Sequence, residues 1–369
     1  MIDLLDIEIS HPHRAFGNKR IKVSDNRPAT TSRFSSAVQL VPNGARINAT
    51  SLRKGTAISI KCNPLKVLQG HNVFGTNNLR TLAAEIIVRV LDHLNIIYAD
   101  DDVAAWVAGE FDIHAVDITH RYRLPENVTV FEIRQHMIRN MAFDQYRPSV
   151  LREGEGVRFN ASSSYAGWII YDKRKELEDK RHHAYPALGA LLGEQADEVW
   201  KCLLVTAKMS ARVELKLGKK YLEQRGLNRG SAWTLPTANE IYDRELAALR
   251  LERHNPMNVL RDSISAVTNP THRRTLEMWA SGSNLKTLFS RGSLAVHRKA
   301  IIDACGIDVE RDVPAIDPLP VSQMFDVSNR LEGAPNWARQ YPRAYVRFGA
   351  ASQAVQHRAI TNRKSRWGD

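Results

Sequence analysis

Short stretches of alternating or continuous apolar residues dominate the first sixty positions, and helical spacing takes over only later. Ile2 to Ile9 is apolar-rich, Pro42-Asn43-Gly44 is a turn signal, and Ala57 to Cys62 alternates as a strand does. Leu79, Leu82, Ala83, Ile86, Val90 and Leu94 recur at helical spacing, while Arg80 and Arg89 point elsewhere. This predicts a helix with one face packed on a sheet. Phe111 to His120 reads as a strand, Val130 to Asn140 as a helix, and Pro148 to Gly156 as a polar connection. Strands follow at Val157 to Asn160 and Gly167 to Tyr171, with a turn over 161–165 between them and a charged helix start after them. Ala211 to Leu217 alternates again as a strand. From Thr234 onward the pattern is helical, through Ile241, Leu246, Leu249 and Leu251 and then over 271–279, 284–289 and 294–305, with Gly306 as a stop. The expectation is a mixed α/β (α+β) protein with two domains, a sheet-containing unit over 1–230 and a mainly helical unit over 231–369.

Lys61 to Leu79 fits neither period. Pro64 fixes a bend, and Gly70 and Gly75 supply backbone geometry that other residues avoid. Between the glycines, His71 and Asn72 precede Val73 and Phe74, two residues that favour burial. Asn77 or Asn78 is the expected N-cap of the helix beginning at Leu79. The stretch therefore reads as an ordered loop anchored at both ends, serving either as a structural connection or as a carrier of function.

Composition narrows the partners. Fifty-two Lys and Arg against 40 Asp and Glu give a formal charge of +12 in 369 residues. This surplus points to a polyanion, with nucleic acid the usual one, although a soluble enzyme with a basic surface fits the same count. No apolar run approaches the roughly 20 residues that cross a bilayer, and the acidic start lacks signal-peptide features. A cytosolic protein without a membrane partner is expected. Cys62, Cys202 and Cys305 are isolated and suggest neither a disulfide framework nor a thiolate zinc site. Basic residues cluster at His11 to Lys22 and from Arg339 to Arg366, where Trp337, Tyr341, Tyr345, Phe348 and Trp367 are interleaved. The second cluster suits backbone contact with base stacking, or core packing of the aromatics with only the charges reaching DNA.

Candidate chemistry sits on three strands. Alternation places Ala115, Asp117 and Thr119 on one face and His114, Val116, Ile118 and His120 on the other. Asp117 on such a strand either forms an internal ion pair or binds a metal. Tyr171 ends its strand and is followed at once by the lysine-rich segment from Lys173. A free phenol has a pKa of about 10, so Lys173 or a bound cation would have to stabilise its phenolate. The alternative is a core tyrosine, and Tyr165 competes for the same role. Glu214, between Arg212 and Lys216, is either a cross-strand ion pair or a ligand. His182-His183 reads as solvent-exposed.

The nineteen-residue run KCNPLKVLQGHNVFGTNNL closely resembles the most recognisable segment of the gene II replication protein family of filamentous bacteriophages. That family nicks double-stranded phage DNA to begin rolling-circle replication. The resemblance implies an antiparallel sheet flanked by helices, as in rolling-circle nickases. It implies Tyr171, in an Ile-Tyr-Asp-Lys run, as nucleophile with Lys173 beside it and Tyr165 as the competing tyrosine. It implies Asp117 and Glu214 as metal ligands, with His114 or His120 as a further candidate, although the usual His-hydrophobic-His motif is absent and Ala115 replaces a basic residue. Oxygen ligands favour Mg2+ or Mn2+. Lys61, Lys66, His71 and Asn72 are expected to brace the sheet or contact DNA, and Arg212 and Lys216 to face phosphate. The implied partners are phage origin DNA, double- and single-stranded, and a host polymerase, in the host cytoplasm. The chain lacks a Gly-x-x-x-x-Gly-Lys-Ser/Thr phosphate loop, so a host helicase is expected as well. In that family the C-terminal half is also made separately from an internal start, for which Met257 or Met278 is a candidate here. Two other classes share these features, a non-catalytic DNA-binding regulator and a metal-dependent nuclease that uses water.

Overall fold

The structure, a computed structural model, describes residues 1–17, 19–24, 27–33, 36–39, 46–140, 148–151, 156–160, 163–178, 184–208, 210–249, 251, 263–310 and 319–345. The expected turn at Pro42-Asn43-Gly44, His182-His183, Met257 and the basic stretch beyond Tyr345 lie outside these residues.

Antiparallel strands organise the chain. They are β1 (Ile2–Ser10), β2 (Lys19–Ser24), β3 (Arg27–Arg33), β4 (Ser36–Gln39), β5 (Arg46–Leu52), β6 (Ala57–Cys62), β7 (Asp112–Arg123), β8 (Pro148–Val150), β9 (Gly156–Phe159), β10 (Ala166–Tyr171) and β11 (Ser210–Leu217). Strands β2 and β3 form a separate hairpin. The others make one nine-stranded sheet in the order β4-β5-β6-β1-β7-β11-β10-β9-β8. The polar connection expected at 148–156 thus contributes the short edge strand β8. The central strands β1, β7, β11 and β10 are distant in sequence, so the polar residues they gather come from all parts of the first 217 positions.

One sheet face is the main core. Leu5, Ile7, Ile58, Ile60, Val116, Ile118, Val213, Leu215, Trp168 and Ile170 are all buried in one cluster. The stretch 61–79, expected as a loop throughout, contains the short helix α1 (Pro64–Gln69). Pro64 sits at its first turn, the Asn63 side chain accepts from Lys66 N at 3.0 Å, and Gly70 closes it at φ +77°. Six residues are too few to register a helical period. The helix α2 (Leu79–His93) adds Leu82, Ala83, Ile86 and Val90 to the main core, as its spacing predicts. Asn78 caps α2 by accepting from the Thr81 amide at 3.3 Å.

The opposite face carries the polar residues of the same strands. A second core covers part of it, built from Val73, Phe74, Leu188, Val199, Trp200, Leu203, Ala338 and Tyr341. Two bulges interrupt the β1–β7 ladder. Ile2 pairs with Ile118 and Leu4 with Asp117, leaving Asp3 as the extra residue, and Ile7 pairs with Ile113 and Asp6 with Ala115, leaving His114 out.

The helical half does not form one separate body. Trp233, Ile241 and Tyr242, then Val321, Met324 and Phe325, join the main sheet core. Residues within 263–310 have their own core of Val267, Leu276, Trp279, Leu294, Ile301 and Ile307. That unit contains helices Pro270–Ala280, Leu285–Leu288 and Arg291–Cys305, the last ending at Gly306 as expected.

Phe74 ties the 71–75 segment to the end of the described chain. It is 1% exposed and meets His71, Trp337 and Tyr345 edge-on. Phe74→Ala is expected to cost about 3–5 kcal/mol and to raise amide exchange in residues 334–345. Chemical denaturation with hydrogen exchange measures both, and a loss under about 1 kcal/mol would contradict this packing.

Candidate active site

Register brings the expected residues of three strands onto one face. Lys216 on β11 is directly opposite Asp117 on β7, and Glu214 is opposite Thr119. Tyr171 on β10 is opposite Arg212, and Ile169 is opposite Glu214. Glu214 is therefore diagonal to both Asp117 and Tyr171, a relation that sets Cβ atoms about 7 Å apart. Asp117 and Glu214 are 7% and 6% exposed. Lys216 Nζ lies 3.4 Å from Glu214 and 3.7 Å from Asp117, with its side chain 43% exposed. Burial, followed by the Glu214 charge, pushes Asp117 well above the ordinary carboxylate range, with Lys216 opposing. Burial and Asp3 push Glu214 up in the same way.

A buried polar frame holds this face. Asp3, extruded by its bulge, accepts from Asn63 Nδ2 and Asn72 Nδ2 at 2.7 Å each and pairs with Arg212 Nη2 at 2.8 Å. Arg212 is fully buried and also donates to the Asn72 carbonyl. Burial works against the Asp3 charge, yet the Arg212 guanidinium, with Lys173 and Asn72, holds Asp3 well below the usual range.

Tyr171 is half-buried, with the Arg212 guanidinium 5.7 Å from its ring centre. Burial raises its pKa well above the ordinary phenol value; Arg212 resists, while Glu214, Asp3 and Glu176 add to the rise. Lys173 opens the helix Lys173–Glu178 and bonds Glu176 at 2.6 Å, and Lys66 takes the other Glu176 oxygen at 3.1 Å. Burial pushes Lys173 down to about 8, with Glu176 resisting. Burial opposes the Glu176 charge, but the two lysines pull it down to about 2. Lys173 is thus committed to a carboxylate rather than left free beside the phenol.

Other expectations change. His71 is buried and hydrogen-bonds the Ala344 carbonyl at 2.8 Å, with burial pushing it down to about 4. His71 and Asn72 therefore brace the fold, and their burial leaves no face for DNA. Arg212, expected to face phosphate, is enclosed by Asp3 and Asn72 instead. His114 sits on its bulge, 3.4 Å from Glu8, away from the Asp117–Glu214 pair. His120 is buried on the core face against Tyr242. Tyr165 packs on Tyr221 at 5.0 Å, six residues or about 20 Å along the strand from Tyr171. Lys61, half-exposed, pairs with Asp6 at 3.1 Å. Sequence reasoning missed Asp3 and Glu176. An aspartate within an apolar strand was the available signal for Asp3, but only the bulge turns it to this face.

Among the described residues, no group of three or more His, Cys, Asp or Glu is placed to hold a metal. Asp117 and Glu214 offer two carboxylates, fewer ligands than a closed zinc site has. Mg2+ is commonly bound by one or two carboxylates, its remaining positions filled by water and substrate phosphate. Two buried carboxyls with raised pKa values suit a cation, whose binding would release their protons.

These features define an α+β protein with a carboxylate pair and a tyrosine on one partly covered sheet face. The family model for the N-terminal part of the phage replication-associated protein, the gene II product, matches residues 1–236, and the chain belongs to that family. It is 26% identical over 310 residues to the replication-associated protein of Enterobacteria phage I2-2, covering 83% of each chain. It is 28% identical over 176 residues to the proteins of the same name from Enterobacteria phages fd and M13, covering 46% of this chain and 42% of each of those. No solved structure matches it.

A raised folded pKa favours folding below the ordinary carboxylate range, and that contribution is lost as pH rises through the folded value. At neutral pH the carboxylate pair therefore costs stability. Asp117→Asn is expected to raise Tm by about 2 °C or more at pH 7. Mg2+ or Mn2+ is expected to raise the Tm of the wild-type protein, and Asp117→Asn should remove that increase. A variant that melts lower, yet still gains from the metal, would contradict this account of the pair.

Proposed function

We propose that the chain initiates phage rolling-circle replication by nicking origin DNA through a covalent 5′-phosphotyrosine intermediate. The observation that carries the reading is the stepwise placement of Asp117, Glu214 and Tyr171 on three adjacent strands. In the forward step the Tyr171 oxygen bonds to the scissile phosphorus as its proton leaves. The bond from phosphorus to O3′ breaks, and the departing oxygen takes a proton to become a free 3′ hydroxyl. In the reverse step a 3′ hydroxyl attacks the phosphotyrosine, rejoining the displaced strand and releasing Tyr171.

Burial and the nearby carboxylates disfavour the phenolate, so the residues around Tyr171 have to offset negative charge during attack. Mg2+ or Mn2+ held by Asp117 and Glu214 would supply positive charge for the phenolate and the phosphate. Arg212 keeps its guanidinium against the Tyr171 ring, and the Lys66–Glu176–Lys173 bridge fixes the start of the helix behind it. Lys216, half-exposed at the edge of the pair, is the cation available to a backbone phosphate. Strand separation and synthesis fall to a host helicase and polymerase, in the host cytoplasm. No helix among the described residues is long and apolar enough to cross a membrane.

The raised Tyr171 pKa favours a second reading, a metal-dependent nuclease in which water attacks instead. Supercoiled origin plasmid with Mg2+, analysed on denaturing gels, separates the two. The expected result is nicked DNA with protein attached, whereas nicking without attachment supports the water reaction. Binding without nicking supports a non-catalytic regulator. Tyr171→Phe is expected to lower adduct formation by at least about 10³-fold, while Tyr165→Phe retains it. Adduct persisting in Tyr171→Phe and lost in Tyr165→Phe would reverse the assignment.

A further inference from the structure

A cleft of about 530 Å³ opens between the helix Ala196–Lys208, the end of β7 and residues 330–337. Its walls carry Arg121, Arg123, Lys201 and Arg330, with Glu332 the single carboxylate among the described lining residues. Arg121 is 8% exposed, donates to the Gly333 carbonyl at 3.1 Å, and has no carboxylate partner among the described residues. Burial and neighbouring Arg212 push its pKa down to about 10. Arg212 is neutralised by Asp3 and Arg330 by Asp243, so Arg121 is a buried cation left uncompensated within the described residues. Arg330 also lines the cleft, and its Nε is buried without a hydrogen-bond partner among the described residues. An uncompensated buried guanidinium and an unmet donor are costly unless an anion answers them. Arg123 and Lys201 are exposed beside them, where they can meet the same anion.

The aromatic wall identifies the rest of the ligand. Trp337 is half-buried, anchored by its Nε1 donating to Thr206 Oγ1 at 3.1 Å, and lines the same cleft. We propose that the cleft binds one nucleotide of single-stranded DNA, its phosphate on Arg121, Arg123 and Lys201 and its base against Trp337. The volume lies within the 300–1,000 Å³ or so of small-ligand sites and excludes a duplex. An indole stacks on an unpaired base. The register puts Arg121 opposite Arg212 and Arg212 opposite Tyr171, so the cleft begins two strands, about 10 Å, from the tyrosine. The site would hold the strand displaced during the reaction, and to that extent it rests on the nicking reading.

The test uses the full chain and a labelled single-stranded oligothymidine, followed by fluorescence anisotropy over a salt series. The variant Arg123→Ala/Lys201→Ala changes two exposed side chains, and its melting curve checks that the fold is intact. It should bind about tenfold more weakly, with the salt slope reduced by about 1.4. Trp337→Leu should also weaken binding about tenfold, with the salt slope unchanged. Unchanged affinity in both variants overturns the assignment, as does displacement of the oligonucleotide by inorganic phosphate at equal phosphate concentration, which would leave no part for the base. Adduct assays on origin plasmid run in parallel. If wild-type protein forms no adduct while oligonucleotide affinity still depends on these residues, the nicking reading fails and the cleft assignment stands.

Discussion

The buried pair of Arg212 and Asp3 is the constraint on which the rest of this face depends. Neither charge is solvated, and each is tolerable only because the other is 2.8 Å away and Asn63 and Asn72 fill the remaining positions. Asn63 is also the N-cap of α1, and Asn72 belongs to the segment that places Phe74 in the second core. The pair therefore links the bulge on β1, the middle of β11 and the 61–79 stretch. Removing one partner would strand a buried charge, a loss of about 3–5 kcal/mol.

That frame explains how two further carboxylates can sit nearby. Arg212 is paired with Asp3, and its pull on Glu214, with that of the half-exposed Lys216 on both carboxyls, is outweighed by burial. Their raised pKa values follow first from burial and then from neighbouring carboxylate charge, Glu214 acting on Asp117 and Asp3 on Glu214. Burial also opposes the ionisation of Tyr171, with the charges of Glu214, Asp3 and Glu176 adding to it and Arg212 resisting. In the proposed reaction a divalent cation would supply positive charge to this site, and the DNA phosphate would supply further ligands for the cation.

Much of the fold was legible in the sequence because period and caps act locally. The helix from Leu79 with its Asn78 cap, the strand through Asp117, the strand ending at Tyr171 and the stop at Gly306 needed no tertiary information. Asp117, Tyr171 and Glu214 could be singled out as unusual polar residues on apolar strands. Their gathering could not be read, because it depends on the register of three non-consecutive strands. Asp3 was hidden by a bulge, which changes the face of one residue without altering composition. Arg212 looked like a phosphate contact because alternation gives a residue's face and not what covers it. For the same reason His71 and Asn72 could be read either as bracing the sheet or as contacting DNA, and their burial fits the first. The α1 helix was missed because one and a half turns bounded by Pro64 and Gly70 look like turn chemistry.

The central claim is that covalent attachment of DNA takes place at the tyrosine diagonal to Glu214. Wild-type protein reacted with origin plasmid and Mg2+, digested with nuclease and protease and analysed by tandem mass spectrometry, tests it most directly. The account predicts a nucleotide attached through its 5′ phosphate to Tyr171. A nucleotide on Tyr165 or on any other residue would contradict it.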